Sequence, residues 1–297
     1  MIIIQMAGGL GNQMFQYALY KQFISMGKSV SVDDEAGFRE DAQRNPALAA
    51  FGIVYERAAS DEIIRITDSS MAFMARVRRK LFGRNNHSYF EEDKIFQPQI
   101  FGWDDVYLEG YWQSEKYFAD VAESLKTEYG LDSVLHNKNQ GYGLSQQAMM
   151  YLEQIERTES VSIHVRGGDY RLPQNQALFG DICTKEYYRQ ALEIILAKHP
   201  DSTCYLFTND RMWTDKWLGE YTGNMVLVDW LGARDYEVLT LMSRCKHNIL
   251  ANSSFSWWAS YLNDYEDKMV IAPEKWLNGW DCRDIYRDDM MTVGACR

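Results

Sequence analysis

Apolar and polar positions in the second half of the chain alternate in a regular way. Short apolar runs at residues 161–165, 204–207, 225–228, 248–251 and 269–272 are separated by longer stretches. Within 184–197, Tyr187, Tyr188, Ala191, Ile194 and Ile195 recur at helical spacing, and 235–245 behaves similarly. Strands alternating with helices predict a parallel sheet covered by helices. The first half opens on a strand at 2–6, a glycine-rich turn and a helix over 12–26. Thereafter the pattern is less regular. Residues 29–32 and 106–110 read as strands, and 61–81 and 114–129 as helices. The expectation is an α/β protein of two domains. The first, 1–140, carries a helical insertion, and the second is 141–297. The boundary falls at 137–143, where two glycines and three side-chain amides precede a helix over 144–157.

Composition narrows the class. A chain of 297 residues is about twice the usual ~150-residue domain. With 46% hydrophobic and 25% charged residues it reads as an ordinary globular protein, so extensive disorder is excluded. Lys and Arg number 31 against 42 Asp and Glu, giving a net charge of −11. That field opposes nucleic acid, so an anionic substrate needs a few placed cations and backbone amides. The 5 cysteines are odd in number and form no Cys-x-x-Cys pair, which fits a reduced, cytoplasmic compartment. Residues 1–20 are uncharged but lack the basic start of an export signal. The uncharged stretch 248–263 is broken by asparagines and serines, so no membrane span is expected.

Three segments carry candidate chemistry. Gly8-Gly9-Leu10-Gly11-Asn12-Gln13 follows a strand and opens a helix, the placement of a phosphate cradle, yet Met14 stands where a dinucleotide fingerprint needs its third glycine. It is either a tight structural turn or a place where Asn12 and Gln13 hydrogen-bond hydroxyls. His164-Val165-Arg166-Gly167-Gly168-Asp169-Tyr170 lies at a strand's carboxyl end, where open α/β sheets bind ligands. Arg166 can grip a diphosphate bidentately, His164 can bond a ribose or base edge, and Asp169 can hold Arg166 in its rotamer. A structural Arg–Asp pair is the alternative. Asn252-Ser253-Ser254-Phe255-Ser256-Trp257-Trp258 starts another helix after a strand; one serine serves as a cap, while three favour an anion site. Trp257 and Trp258 read as core.

Taken together these segments, with Gly110-Tyr111-Trp112-Gln113, resemble the bacterial α-1,2-fucosyltransferases, in the family's order and over nearly the whole chain. The resemblance implies a GT-B-like fold, two Rossmann-like domains facing a central cleft, with an acceptor-side domain first. It implies an inverting galactoside 2-α-L-fucosyltransferase using GDP-fucose, with no cofactor or metal. Arg166 is then the catalytic cation on the donor diphosphate. His164, Asp169, Asp210, Asn252, Ser253, Ser254, Phe255 and Ser256 line the donor site, and Gly11, Asn12, Gln13, Trp112 and Gln113 face the acceptor. The family motif has a second arginine after the first, where this chain has Gly167, so the diphosphate has one fewer cation. Improvement by Gly167→Arg would show that the missing second cation limits the enzyme.

The chain contains no Asp-x-Asp, in keeping with a metal-free site. Asp33, Asp34, Glu109 and Glu115 are candidate bases or, equally, solvated carboxylates. Asp210 and Asp229 end strands and can accept the two N–H groups of guanine or serve as helix caps. Arg76, Arg78, Arg79, Lys80 and Arg84 form a basic cluster, read either as a solvated helix face or as a surface for anionic lipid or a lipid-linked glycan acceptor, which would place the protein peripherally at the inner face of a membrane. The rival readings are a fucosyltransferase with another acceptor than a terminal β-galactoside, and a glycan- or nucleotide-binding protein without catalysis. No nucleic acid is expected as a partner.

Overall fold

A computed structural model describes residues 1–41, 43–211, 214, 223–228 and 234–294, except the side chains of Asp169 and Arg171. It divides into two units, Met1–Glu128 with Arg283–Ile285, and Tyr129–Cys282 with Tyr286–Arg297. The first unit therefore ends before the expected 140. Tyr129 is the reason: its ring is buried and meets Trp258 edge-on at 5.2 Å, so the chain has joined the second core before the polar stretch at 137–143.

In the first unit, β1 (Ile2–Ala7), β2 (Val30–Gly37), β3 (Ser88–Phe90) and β4 (Val106–Glu109) pair in parallel in the order β2-β1-β4-β3. Helix Leu10–Ser25 lies beside them with Leu10, Met14, Phe15, Ala18, Leu19 and Phe23 buried. The helix expected over 61–81 is two, Ser60–Thr67 and Phe73–Phe82. Asp68 stops the first in left-handed backbone at φ 50°, where its carboxylate accepts from Asn85 N at 2.9 Å. Over 114–129 only Ala122–Tyr129 is α-helical, after short 3₁₀ turns.

In the second unit, β5 (Ser160–Val165), β6 (Thr203–Thr208), β7 (Met225–Leu227), β8 (His247–Ile249), β9 (Val270–Pro273) and β10 (Met290–Val293) are all parallel, ordered β10-β9-β8-β5-β6-β7. Read from β7, this is the 3-2-1-4-5-6 order of the doubly wound dinucleotide fold, which reverses direction between β5 and β8. Strand alternation sends Val161, Ile163 and Val165 into one core with Tyr187, Tyr188, Ala191, Leu192 and Ile195 of helix Lys185–Lys198. Ser162 and His164 face the other way, toward helix Ser254–Tyr261, where Trp257 and Trp258 are fully buried as expected. β3 and β10 were not foreseen; each is short, and neither is an unbroken apolar run.

Candidate functional site

The reversal point of the second sheet gathers the motifs. β5 pairs with β8 on one side and β6 on the other, in registers Ile163↔Ile249 and Val165↔Thr208. The loops beginning at Arg166, Asn209 and Leu250 therefore leave neighbouring carboxyl ends. Arg166 is half-buried with its guanidinium carbon 5.3 Å from the Tyr170 ring. Tyr170 stacks on Phe179 at 4.4 Å and donates its hydroxyl to Asn252 O at 3.1 Å, which ties the Arg166 loop to the start of the serine segment. A cation over an aromatic face on an anchored ring is a pre-oriented group.

His164 is buried, and burial first, then the neighbouring Arg166 charge, lowers its pKa to about 3. It stays neutral through the physiological range. Its ring lies 5.7 Å from Phe255, and its Nδ1 has no partner among the described residues.

Gly167 is held rather than vacant. Its N–H donates to Asn209 Oδ1 at 2.8 Å, and Gly168 N–H donates more weakly to Asp210 Oδ2 at 3.4 Å. A Cβ on Gly167 would stand 2.4 Å from both Cβ and Oδ2 of Asp210. The second arginine of the family pattern therefore cannot be added here without displacing Asp210. Asp210, read as a guanine acceptor, has its carboxylate against this loop. Asp229 and the side chain of Asp169 lie outside the described residues.

The serine segment separates into different roles. Ser253 caps helix Ser254–Tyr261, accepting from Phe255 N at 3.3 Å. Ser254 and Phe255 are half-buried at the first turn. Ser256, expected on a phosphate, is fully buried and donates to Ala251 O at 3.2 Å and Ser253 O at 3.3 Å. Asn252 donates to Trp276 O at 3.2 Å and Phe179 O at 3.4 Å and faces Cys183 Sγ at 3.4 Å, so its amide ties three loops together. Both side chains shape the loop and neither is presented to a ligand.

The first unit has its own reversal, between β1 and β4. Gly8 has φ +79°, and a Cβ there would stand 2.7 Å from Asn12 Nδ2. Asn12 Oδ1 accepts from Gln113 Nε2 at 2.8 Å, so these two predicted acceptor residues do meet. Gly11 is buried on the same helix. Gln13 is different: buried, it donates to Gly8 O at 2.9 Å and Asn45 O at 3.0 Å and accepts from Ala47 N at 2.8 Å. It clamps a loop and is not available to hydroxyls of a sugar. Trp112 is likewise no sugar platform, being fully buried against Tyr117 at 5.6 Å. Its φ is 55°, a left-handed turn that Glu91 stabilises by accepting from Tyr111 N at 2.9 Å and Trp112 N at 3.2 Å. Burial raises the Glu91 pKa.

The turn instead exposes Tyr111, whose ring lies near Gly8, while Arg44 Nε would be 3.9 Å from a Cβ on Gly9. Sequence reasoning missed both. Tyr111 stands inside the Gly110 to Gln113 motif, but Arg44 lies in a stretch with no pattern at all.

Of the carboxylates weighed as bases, Asp33 accepts from Glu35 N, Ala36 N and the Tyr107 hydroxyl, and Asp34 accepts from the Tyr55 hydroxyl at 2.8 Å and meets Arg57 Nε at 2.9 Å. Glu115 begins a 3₁₀ turn. Glu109 ends β4 half-buried, with its pKa raised by burial and then by the Asp33 charge.

Among the described residues one group has metal-ligand spacing, Glu159, His199 and His247, with ligand atoms within 4.8 Å. His247 Nδ1 accepts from Met269 N at 3.0 Å, so the ring's proton is on Nε2, which faces Glu159 Oε1 at 3.0 Å. A protonated Nε2 is not a metal ligand. This cluster also sits at the amino ends of β5 and β8, away from the motifs. No helix among the described residues is long and apolar enough to cross a membrane.

Two open parallel sheets, one in the dinucleotide-fold order, make this a GT-B-like α/β protein. The chain belongs to glycosyl transferase family 11, whose model matches residues 1–290, and it is therefore a glycosyltransferase by family. It is similar to the alpha-1,2-colitosyltransferase of Escherichia coli, 28% identical over 94% of this chain and 95% of that one. The O-antigen biosynthesis glycosyltransferase WbnK of Escherichia coli is 28% identical over 92% and 94%. Human galactoside alpha-(1,2)-fucosyltransferase 1 is 27% identical, with the match covering 86% of this chain and 63% of that protein. Among solved structures, the E. coli ADP-heptose lps heptosyltransferase II is similar at 11% identity and a TM-score of 0.47, covering 98% and 89%.

Proposed function

We propose that the chain transfers L-fucose from GDP-β-L-fucose to the 2-hydroxyl of a terminal β-galactoside, with inversion to the α-linkage. The observation that carries this is the convergence of Arg166 and the start of helix Ser254–Tyr261 at the reversal between β5 and β8. In open α/β sheets that crevice is where nucleotides bind. As the C1–O bond to the diphosphate breaks, negative charge grows on the leaving group. The Arg166 fork and the positive end of the helix oppose it with fixed donors. The acceptor oxygen attacks from the opposite face of an oxocarbenium-like sugar, and its proton must leave.

No metal enters this scheme. The test is GDP release from GDP-fucose in excess EDTA, with and without a β-galactoside such as lactose, and assignment of the product's anomeric configuration. Acceptor-dependent release giving an α-fucoside is expected. Turnover that EDTA abolishes and manganese or magnesium restores would overturn the metal-free scheme, and a β-product would overturn inversion.

The similarity to a colitosyltransferase supports a second reading in which the donor is a colitosyl nucleotide. Competition between GDP-fucose and GDP-colitose at limiting enzyme decides between them. No release of GDP from either donor in the presence of galactosides leaves the non-catalytic reading standing.

A further inference from the structure

Between Asp68 and Glu91 the sequence has no carboxylate, but it has Arg76, Arg78, Arg79, Lys80 and Arg84, in a chain of net charge −11. Helix Phe73–Phe82 occupies the centre of this stretch. At 3.6 residues per turn, Phe73, Val77 and Leu81 align, with Met74 beside them, and Arg79 falls on the opposite side. Arg79 is the inward residue: its guanidinium donates to Asp68 O at 3.0 Å and Ser70 O at 2.6 Å. Arg78 pairs with the Asp68 carboxylate. The helix is thus fastened to the protein through arginines and turns most of its apolar stripe outward, with Phe73 75%, Met74 74% and Leu81 69% exposed and Phe82 82%, while Val77 between them is half-buried. No residue of the helix is buried. Arg76 and Lys80 border the stripe on one side, Arg78 on the other.

This inverts the usual surface helix, whose apolar side faces the core. A bare apolar stripe on water is unfavourable and calls for a covering. Nucleic acid would use the cations but leave the phenylalanines and leucine wet. A second copy would bring five cations against five. An anionic bilayer satisfies both halves at once, since the apolar side chains enter the acyl boundary and the cations meet lipid phosphates. We propose that helix Phe73–Phe82 lies in the surface of an anionic phospholipid membrane, apolar stripe inward to the lipid and Arg76 and Lys80 at headgroup level.

The test is flotation of the full chain with vesicles of phosphatidylcholine alone or mixed with phosphatidylglycerol. Binding to the mixed vesicles, weakened by salt, is expected, with little to the neutral ones. Each cation near an anionic surface is worth roughly fivefold in binding, so Arg76→Ser with Lys80→Ser should weaken it by about 25-fold. Phe73→Ser with Leu81→Ser should lose binding at low salt as well. All four side chains are outside the core, so unchanged melting curves are expected and keep a lost interaction distinct from a lost fold. Equal binding to both vesicle types, binding unaffected by either pair of substitutions, or a dimer in light scattering that the Phe73→Ser, Leu81→Ser chain no longer forms would each overturn the proposal.

Discussion

Substituting Gly167 tests whether the loop after β5 is specified by contact or by missing charge. An alanine there brings its Cβ to 2.4 Å from Asp210 Cβ and Oδ2, against an ordinary carbon contact of about 3.5–4.0 Å. Asp210 must retreat by more than an ångström. In doing so it gives up the Gly168 N–H, and the bond from Gly167 N–H to Asn209 is disturbed. Overpacking of this kind costs about 1–3 kcal/mol. Taking about 2 kcal/mol, the second unit's melting midpoint should fall by roughly 4–8 °C. The affinity for GDP should fall too, because the loop that carries Arg166 shifts. Gly167→Arg begins with the same Cβ, so it should be at least as damaging despite its added charge. The partner substitution must be Asp210→Gly, since Asp210→Ala keeps the clashing Cβ. If the reasoning holds, Gly167→Ala and Asp210→Gly combined will be more stable than the sum of the two single changes, by about 1 kcal/mol or more. The assay is thermal melting and GDP titration on the four chains of the cycle. A Gly167→Ala protein that melts and binds GDP like the parent refutes the contact argument, and tighter GDP binding by Gly167→Arg refutes it outright.

Arg166→Lys should lose nearly as much turnover as Arg166→Ala, roughly a hundredfold, because lysine keeps the charge but not the bidentate fork; near-normal turnover in a folded Arg166→Lys chain would remove Arg166 from the proposed role. Gln13→Ala should act on stability before acceptor kinetics, costing about 3 kcal/mol for three partners of a buried amide, and an unchanged melt with a raised acceptor KM would restore it to the acceptor site. Because the folded pKa of His164 is lowered from 6.5 to about 3, its contribution is fully present above the unfolded pKa and is lost as pH falls below it, at about 1.4 kcal/mol per pH unit. His164→Gln should therefore flatten the acid side of the stability profile between about pH 6 and 4; an unaltered slope would mean that the imidazole is not buried as described.

Elements whose signal is local were legible in the sequence. The apolar runs of β5, β6, β8 and β9 and the helices between them are statements about burial on both faces of a sheet, and burial leaves a pattern in neighbouring residues; β7, half-buried at the sheet edge, was legible from its own apolar run. The short strands β3 and β10 left none, because neither is an unbroken apolar run and their pairing is decided by the partner strand. The same division runs through the site. That Arg166 and the serine segment end strands could be read directly. Their adjacency came from the order of the strands, which puts β8 beside β5 although more than eighty residues separate them in sequence. Residue type told which side chains can bond a sugar or phosphate, and only packing decided which are already engaged. Trp112, Gln13, Asn252 and Ser256 have suitable chemistry, yet the fold turns each inward onto the protein's own backbone or core. Gly167 shows the converse: in the sequence it is an absent cation, whereas in the structure it is the space taken by Asp210, a residue brought there by a neighbouring strand.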